Sequence, residues 1–256
     1  MPGRIYFVGA GPGDPELITV KGKRLIEEAN RIIYAGSLVP KELICSARAD
    51  ARLIDSAPLT LEETHALMTE GYRNGELVVR LHSGDPSLYG AIHEQMALLD
   101  REGIPYEVVP GVSAVFAAAA RLKRELTVPG VSQTLILTRL AGKTPVPERE
   151  SLASLAAHGT TLAIYLSVQS IDRLVKELSE GYPADTPVVV AYRVGWPDET
   201  FISGTLDNIA QKVKDAGINR QALILVGKVF GERDETKRSL LYDGKFSHGF
   251  RKAHDF

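Results

Sequence analysis

Short apolar runs alternate along this chain with longer stretches in which apolar positions return every three or four residues, and most of the short runs empty into glycine, proline or aspartate. The runs at 4–8, 32–34, 53–55, 77–81 and 106–109 are rich in Ile, Val and Leu and read as buried strands. The stretches at 19–29, 61–73, 91–102 and 115–122 carry the helical period. Thr60 and Glu63 give a capping-box signature at the head of 61–73, and Ser113 is placed to cap 115–122. Strand, loop and helix in steady alternation predict an α/β fold, its first part a mostly parallel sheet with helices on both faces.

After Arg124 the pattern restarts. Strands are predicted at 131–138, 161–166, 188–192, 200–203 and 222–227, and helices at 150–158, 171–179 and 206–216. Hairpins are expected to outnumber crossovers toward the end, so the second sheet should be mixed. The restart sets an expected boundary within 122–130, with an N-terminal α/β domain at 1–124 and a C-terminal mixed-sheet α/β domain at 125–256.

A chain of 256 residues is long enough for two such units, and a hydrophobic content of 44% gives each a core. A net charge of −2 without any run of lysine or arginine argues against a nucleic-acid groove. No segment approaches the roughly 20 apolar residues of a membrane helix. The start, Met1-Pro2-Gly3-Arg4, lacks the apolar core of a signal peptide, so a cytoplasmic protein without a membrane partner is expected. The single cysteine, Cys45, can form neither an internal disulfide nor a thiolate metal cluster; it is expected to be a small buried hydrophobe, and no metal is expected.

Three loops carry the candidate chemistry. Gly9-Ala10-Gly11-Pro12-Gly13-Asp14 follows the first strand, His82-Ser83-Gly84-Asp85-Pro86-Ser87-Leu88-Tyr89-Gly90 follows the strand at 77–81, and Pro110-Gly111-Val112-Ser113-Ala114 follows the strand at 106–109. Loops at the carboxyl ends of strands form the ligand-binding rim of an open α/β sheet. The dinucleotide fingerprint needs its third glycine where this chain has Asp14, and no Gly-Lys-Ser/Thr follows a glycine loop. A carboxylate about 4 Å from a phosphate is repelled by roughly 4 kcal/mol at an effective dielectric of 20. Asp14 and Asp85 therefore oppose a phosphate-rich cofactor and suit a ligand with amine, hydroxyl and cationic parts.

Taken together, the first loop, the Gly84-Asp85-Pro86 turn and Pro110-Gly111-Val112-Ser113-Ala114 resemble the tetrapyrrole methylase family, and the likeness runs through nearly the whole chain. Within it, the stretches 34–40, 82–90, 128–134 and 193–199 are most similar to the subgroup that methylates C11 of a precorrin-4-type macrocycle in cobalamin synthesis. The resemblance implies a methyltransferase using S-adenosylmethionine, held in a cleft between two α/β domains and releasing S-adenosylhomocysteine. It also implies a homodimer and a small-molecule tetrapyrrole substrate. Carried over by motif, the cofactor residues are Pro12, Ser83, Gly84, Asp85, Ser113, Ala114, Leu166, Val194 and Ala222. Ser83 and His82 depart from the related uroporphyrinogen enzymes, which read Gly-Gly-Asp-Pro after a glycine or lysine, and both changes fit the C11 subgroup. Asp14, His82, Tyr89 and Arg139 are candidate substrate contacts, with Lys143 and Arg193 as further cations for the substrate's carboxylates. A sulfonium methyl and an electron-rich macrocycle carbon need positioning above all, so no catalytic triad is expected and no catalytic side chain is assigned. Methylation of uroporphyrinogen III or another precorrin position, and a binding protein without turnover, stand as alternatives.

Overall fold

The computed structural model describes residues 2–234, 236, 237 and 239–253. Two compact units emerge, one of Met1–Ala117 with Arg193–Glu199, the other of Ala118–Tyr192 with Thr200–Phe256.

In the first unit β1 (Arg4–Gly9), β2 (Arg31–Tyr34), β3 (Arg52–Asp55), β4 (Leu77–His82) and β5 (Tyr106–Val109) form one sheet in the order β3-β2-β4-β1-β5. Every pairing is parallel. The helices between them are α1 (Val20–Glu28), α2 (Lys41–Cys45), α3 (Leu61–Arg73) and α4 (Ile92–Arg101); α5 (Ala114–Arg121) follows β5, its residues from Ala118 on counted with the second unit. Successive side chains of a strand point to opposite faces, and both faces here are covered. Val8, Ile32, Val79 and Leu81 pack with Leu25 and Ile26 of α1 and Leu43 and Ile44 of α2. Phe7, Ile33 and Val78 pack with Met68 of α3 and Ile92 and Leu99 of α4. The capping box is present, Thr60 Oγ1 accepting from Glu63 N and Glu63 Oε2 from Thr60 N.

In the second unit β6 (Leu135–Arg139), β7 (Thr161–Tyr165), β8 (Pro187–Tyr192), β9 (Thr200–Thr205) and β10 (Ala222–Val226) are ordered β6-β7-β10-β8-β9, with α6 (Leu152–Ala156), α7 (Ile171–Leu178) and α8 (Ile209–Asp215). β6 and β7 are parallel; β10 runs antiparallel to both β7 and β8, and β8 to β9. The sheet is mixed. Leu152, Leu174, Leu178, Ile209 and Val213 from the three helices close over Leu162, Ile164, Val190 and Ile224.

Three local expectations are corrected, and one unassigned stretch is filled. The strand expected from 131 begins at Leu135, because Val128-Pro129-Gly130-Val131 closes a turn in which Val131 N and Ser132 N both donate to Val128 O and Gly130 takes φ +70°. The unit's end holds one hairpin, β8–β9, and then a crossover through α8, since β9 and β10 flank β8 on opposite sides. A short helix, α2, occupies the stretch after Pro40, which had no assignment. Cys45 ends that helix exposed, because Leu43 and Ile44 take the buried face.

Candidate active site

The sheet order sets β4, β1 and β5 side by side, so the three glycine loops at their carboxyl ends meet. Ala10 N donates to His82 O at 2.7 Å, Gly84 N to Gly11 O at 2.7 Å, and Gly11 N back to Gly84 O at 3.3 Å. Only glycine permits so close an approach. A Cβ on Gly111 would lie 2.1 Å from Gly84 O, and one on Gly9 would lie 2.6 Å from both Gly84 O and Gly111 Cα. Gly84 itself has φ +64°, yet a Cβ there would meet nothing nearer than Ser113 Cα at 4.0 Å, so the loop is open on that side.

Asp85 ties the junction together. Its Oδ1 accepts from Ser87 N at 2.8 Å and its Oδ2 from Gly111 N at 2.9 Å, so both oxygens hold backbone of the second and third loops. Ser113 is buried, and its carbonyl accepts Phe116 N and Ala117 N as the first turn of α5, which Ala114 opens. Pro12 is buried in the first loop, and its carbonyl accepts Nε1 of Trp196 at 3.1 Å. Asp14 caps the turn Pro15–Leu17 by accepting Glu16 N. The segment Arg193–Glu199 packs on this loop: Gly195 takes φ +82°, and a Cβ there would fall 2.7 Å from Asp14 N. Arg193 stacks 4.4 Å over the Trp196 ring and donates Nε to Asp198 at 2.7 Å, which holds the Asp198 carboxyl below its ordinary range. Val194 is buried. Trp196, the chain's only tryptophan, lies in the stretch 193–199 that carries part of the family resemblance, though it was given no role of its own there.

Beneath the second loop lie three buried polar side chains, Arg80, His82 and Gln95. Arg80 donates Nε to Gln95 Oε1 and Nη1 to Ile33 O, and burial lowers its pKa to about 10. His82 is 4% exposed, lies 6.0 Å from the Phe7 ring, and its Nε2 has no hydrogen-bond partner among the described residues. Burial first, and then the Arg80 charge, push its pKa down to about 3, so the imidazole is neutral at neutral pH. Tyr89, by contrast, is 42% exposed with φ +56°.

In the second unit Leu166 follows β7 with φ +55° and is 76% exposed, which sets it apart from a core aliphatic. The register that pairs Ile224 with Ile164 carries Ala222 to the level of Leu166, and Ala222 pairs with Tyr192 on its other side. These positions therefore share one rim of the sheet. Arg139 wraps its own following loop, donating Nη1 to Thr144 O at 3.0 Å and Nη2 to Pro145 O at 2.8 Å; Lys143 in that loop is exposed. Tyr89, Ala91, Leu166, Arg193 and Gln221 all hold the left-handed backbone that L-residues avoid, and each lies at or beside a candidate position. Among the described residues, no group of three or more His, Cys, Asp or Glu is placed to hold a metal, and no helix is long and apolar enough to cross a membrane.

The model for the tetrapyrrole (corrin/porphyrin) methylases matches residues 4–210. The chain belongs to that family. Among curated relatives of this tetrapyrrole methylase, the cobalt-precorrin-4 C(11)-methyltransferase of Methanocaldococcus jannaschii is 53% identical, over 98% of this chain and 97% of the relative. The precorrin-4 C(11)-methyltransferase of Pseudomonas aeruginosa is 51% identical, over 96% and 98%. Among solved structures, the cobalt precorrin-4 methyltransferase CbiF aligns with a TM-score of 0.87 at 47% identity, over 90% of this chain and 96% of that one. The uroporphyrin-III C-methyltransferase of Thermus thermophilus, complexed with S-adenosyl homocysteine, aligns at 0.75 and 31%, over 89% and 98%.

Proposed function

We propose that this tetrapyrrole methylase transfers a methyl group from S-adenosylmethionine to C11 of a precorrin-4-type macrocycle in cobalamin biosynthesis. The observation that carries the reading is the laced junction of Gly9, Gly84 and Gly111 braced by Asp85, in a chain about half identical to C(11)-methyltransferases over nearly its full length. The residues fit the cofactor: Gly84 leaves an open backbone cradle, and Leu166 offers an exposed apolar side chain at a strained turn. Pro12, Ser83, Gly84, Asp85, Ser113, Ala114, Leu166, Val194 and Ala222 would hold it. When bound, the cofactor supplies a sulfonium methyl that is already electrophilic. The chain's own part is orientation, and rigid backbone held by paired loops provides it without a nucleophile or base.

Among the cofactor residues, Asp85 would hold the cofactor through the loops it braces, those that Ser83 and Ser113 belong to. His82, Tyr89, Asp14 and Arg139 are assigned to the macrocycle; His82 would act from beneath the second loop, where it is buried and neutral, and Arg139 holds the loop carrying Lys143. The reading includes a cytoplasmic homodimer and a functional division at 1–124 and 125–256, open to light scattering and to limited proteolysis within 122–130. Calorimetry with S-adenosylmethionine and with NAD decides the cofactor class. Binding of the first alone is expected, and binding of NAD alone would overturn the reading.

A further inference from the structure

The second unit holds a cavity of about 430 Å³ that the methyl-transfer reading does not use. Lys123 and Arg124, just past α5, line it on one side, and Lys228, Arg233 and Lys237, past β10, on the other. Thr161 Oγ1 donates to Leu126 O at 3.0 Å, which ties the first wall to the start of β7. Gly227 N donates to Pro187 O, which ties the second wall to the start of β8. Leu166 and Ala222 lie at the other end of these strands. Four residues of β10 separate the two ends, about 13 Å at the rise of a strand. The cavity is therefore a separate place from the rim that carries the candidate cofactor residues.

Its chemistry is that of an anion site with an apolar floor. Val128, Val131 and Val229 line it between the cations. Of its three carboxylates, Asp234 accepts both the N–H and the hydroxyl of Thr236, and with the Lys237 charge nearby these hold it ionised. Five cations thus face three carboxylates, Glu125, Glu232 and Asp234, and none of the five makes an ion pair with a described residue. The walls are also latched, Arg233 Nη2 donating to Lys123 O at 2.5 Å. Lys123 holds φ +54°, a position at which helices ordinarily end in glycine, so a lysine is kept there against the backbone's preference. A volume of this size lies within the range of small-ligand pockets.

We infer that this cavity binds a small ligand carrying two or more carboxylate or phosphate groups, independently of the methyl donor. Citrate and pyrophosphate are the probes, titrated calorimetrically into the full chain at low ionic strength, where such contacts are least screened. At least one should bind, and Arg124→Ala/Lys228→Ala should weaken it by about 10- to 100-fold, the loss expected for one or more charge-assisted hydrogen bonds. The S-adenosylmethionine dissociation constant and the melting temperature should stay unchanged. Citrate alone would assign a polycarboxylate, and pyrophosphate alone a phosphoryl ligand. If the double variant loses structure, Lys237→Ala decides in its place, since that side chain is exposed. Failure of both probes to bind, or equal binding to a folded variant, overturns the proposal and leaves the methyltransferase reading untouched.

Discussion

The Asp85 carboxylate takes the backbone N–H of Gly111 at 2.9 Å across 26 residues of sequence, so one side chain on the loop after β4 holds the loop after β5 in place. With its other oxygen on Ser87 N, it has no lone role as either turn cap or ligand contact. Asp85→Ala should lower stability by about 1.5 to 3 kcal/mol and also weaken S-adenosylmethionine binding, because a freed third loop no longer presents Ser113 and Ala114. Asp85→Asn, which keeps one acceptor, should fall between. Urea melts and calorimetry on the same preparations check both effects. An affinity loss without any loss of stability would mean that the carboxylate contacts the cofactor directly.

The junction tolerates no side chain at Gly111. Gly111→Ala would force a Cβ to within 2.1 Å of Gly84 O and should destabilise the protein by about 3 kcal/mol, whereas Gly142→Ala, with nothing within 4 Å, should be near neutral. Denaturant midpoints of the two variants give the comparison. Similar midpoints would remove the close-approach argument for the laced loops.

How much of this was readable in advance depends on whether a feature is local. Strand and helix identities followed from apolar period, since each core face is built from residues two or three to four positions apart. The glycine loops were visible because their backbone demands are local too. What could not be read is where a polar side chain finds its partner. The Asp85 carboxylate takes backbone N–H groups from its own loop and from the next, and the second of these partners lies 26 residues away. Arg31 drew no expectation; it is 2% exposed, donating to Glu70, Glu76 and the carbonyl of Leu67, groups 36 to 45 positions away. Leu166 ends a run of strand-like apolar residues, but its own left-handed backbone after β7 leaves it exposed. Cys45 failed for the same kind of reason, since a helix of five residues buries only part of its circumference.

His82 makes stability depend on pH in a defined window. Its pKa falls from an ordinary 6.5 to about 3 in the folded state, so between those values the unfolded chain binds a proton that the folded protein does not. The contribution is complete above pH 6.5 and declines as pH falls toward 3, by up to about 1.4 kcal/mol per pH unit. His82→Gln should therefore lose less stability than the parent between pH 7 and pH 5, by roughly 1 to 2 kcal/mol. Urea midpoints at the two pH values measure it. Parallel changes would place the imidazole in contact with solvent.

Leu166 should show a trade between stability and binding. Replacing it by glycine removes the penalty of φ +55° and takes little apolar surface out of the core, because the side chain is 76% exposed. Leu166→Gly should raise stability by roughly 1 kcal/mol and weaken S-adenosylmethionine about 10-fold. A gain in stability with unchanged affinity would remove Leu166 from the cofactor site.

Methyl transfer itself is tested most directly by incubating the protein with S-adenosylmethionine carrying a ¹³C-labelled methyl and with precorrin-4, in metal-free and cobalt-bound forms, and locating the label in the product by NMR. The account predicts one labelled methyl, at C11, with one S-adenosylhomocysteine released for each macrocycle converted. Label at another position, transfer to uroporphyrinogen III in preference to either precorrin-4 form, or binding of the macrocycle without any S-adenosylhomocysteine would contradict it.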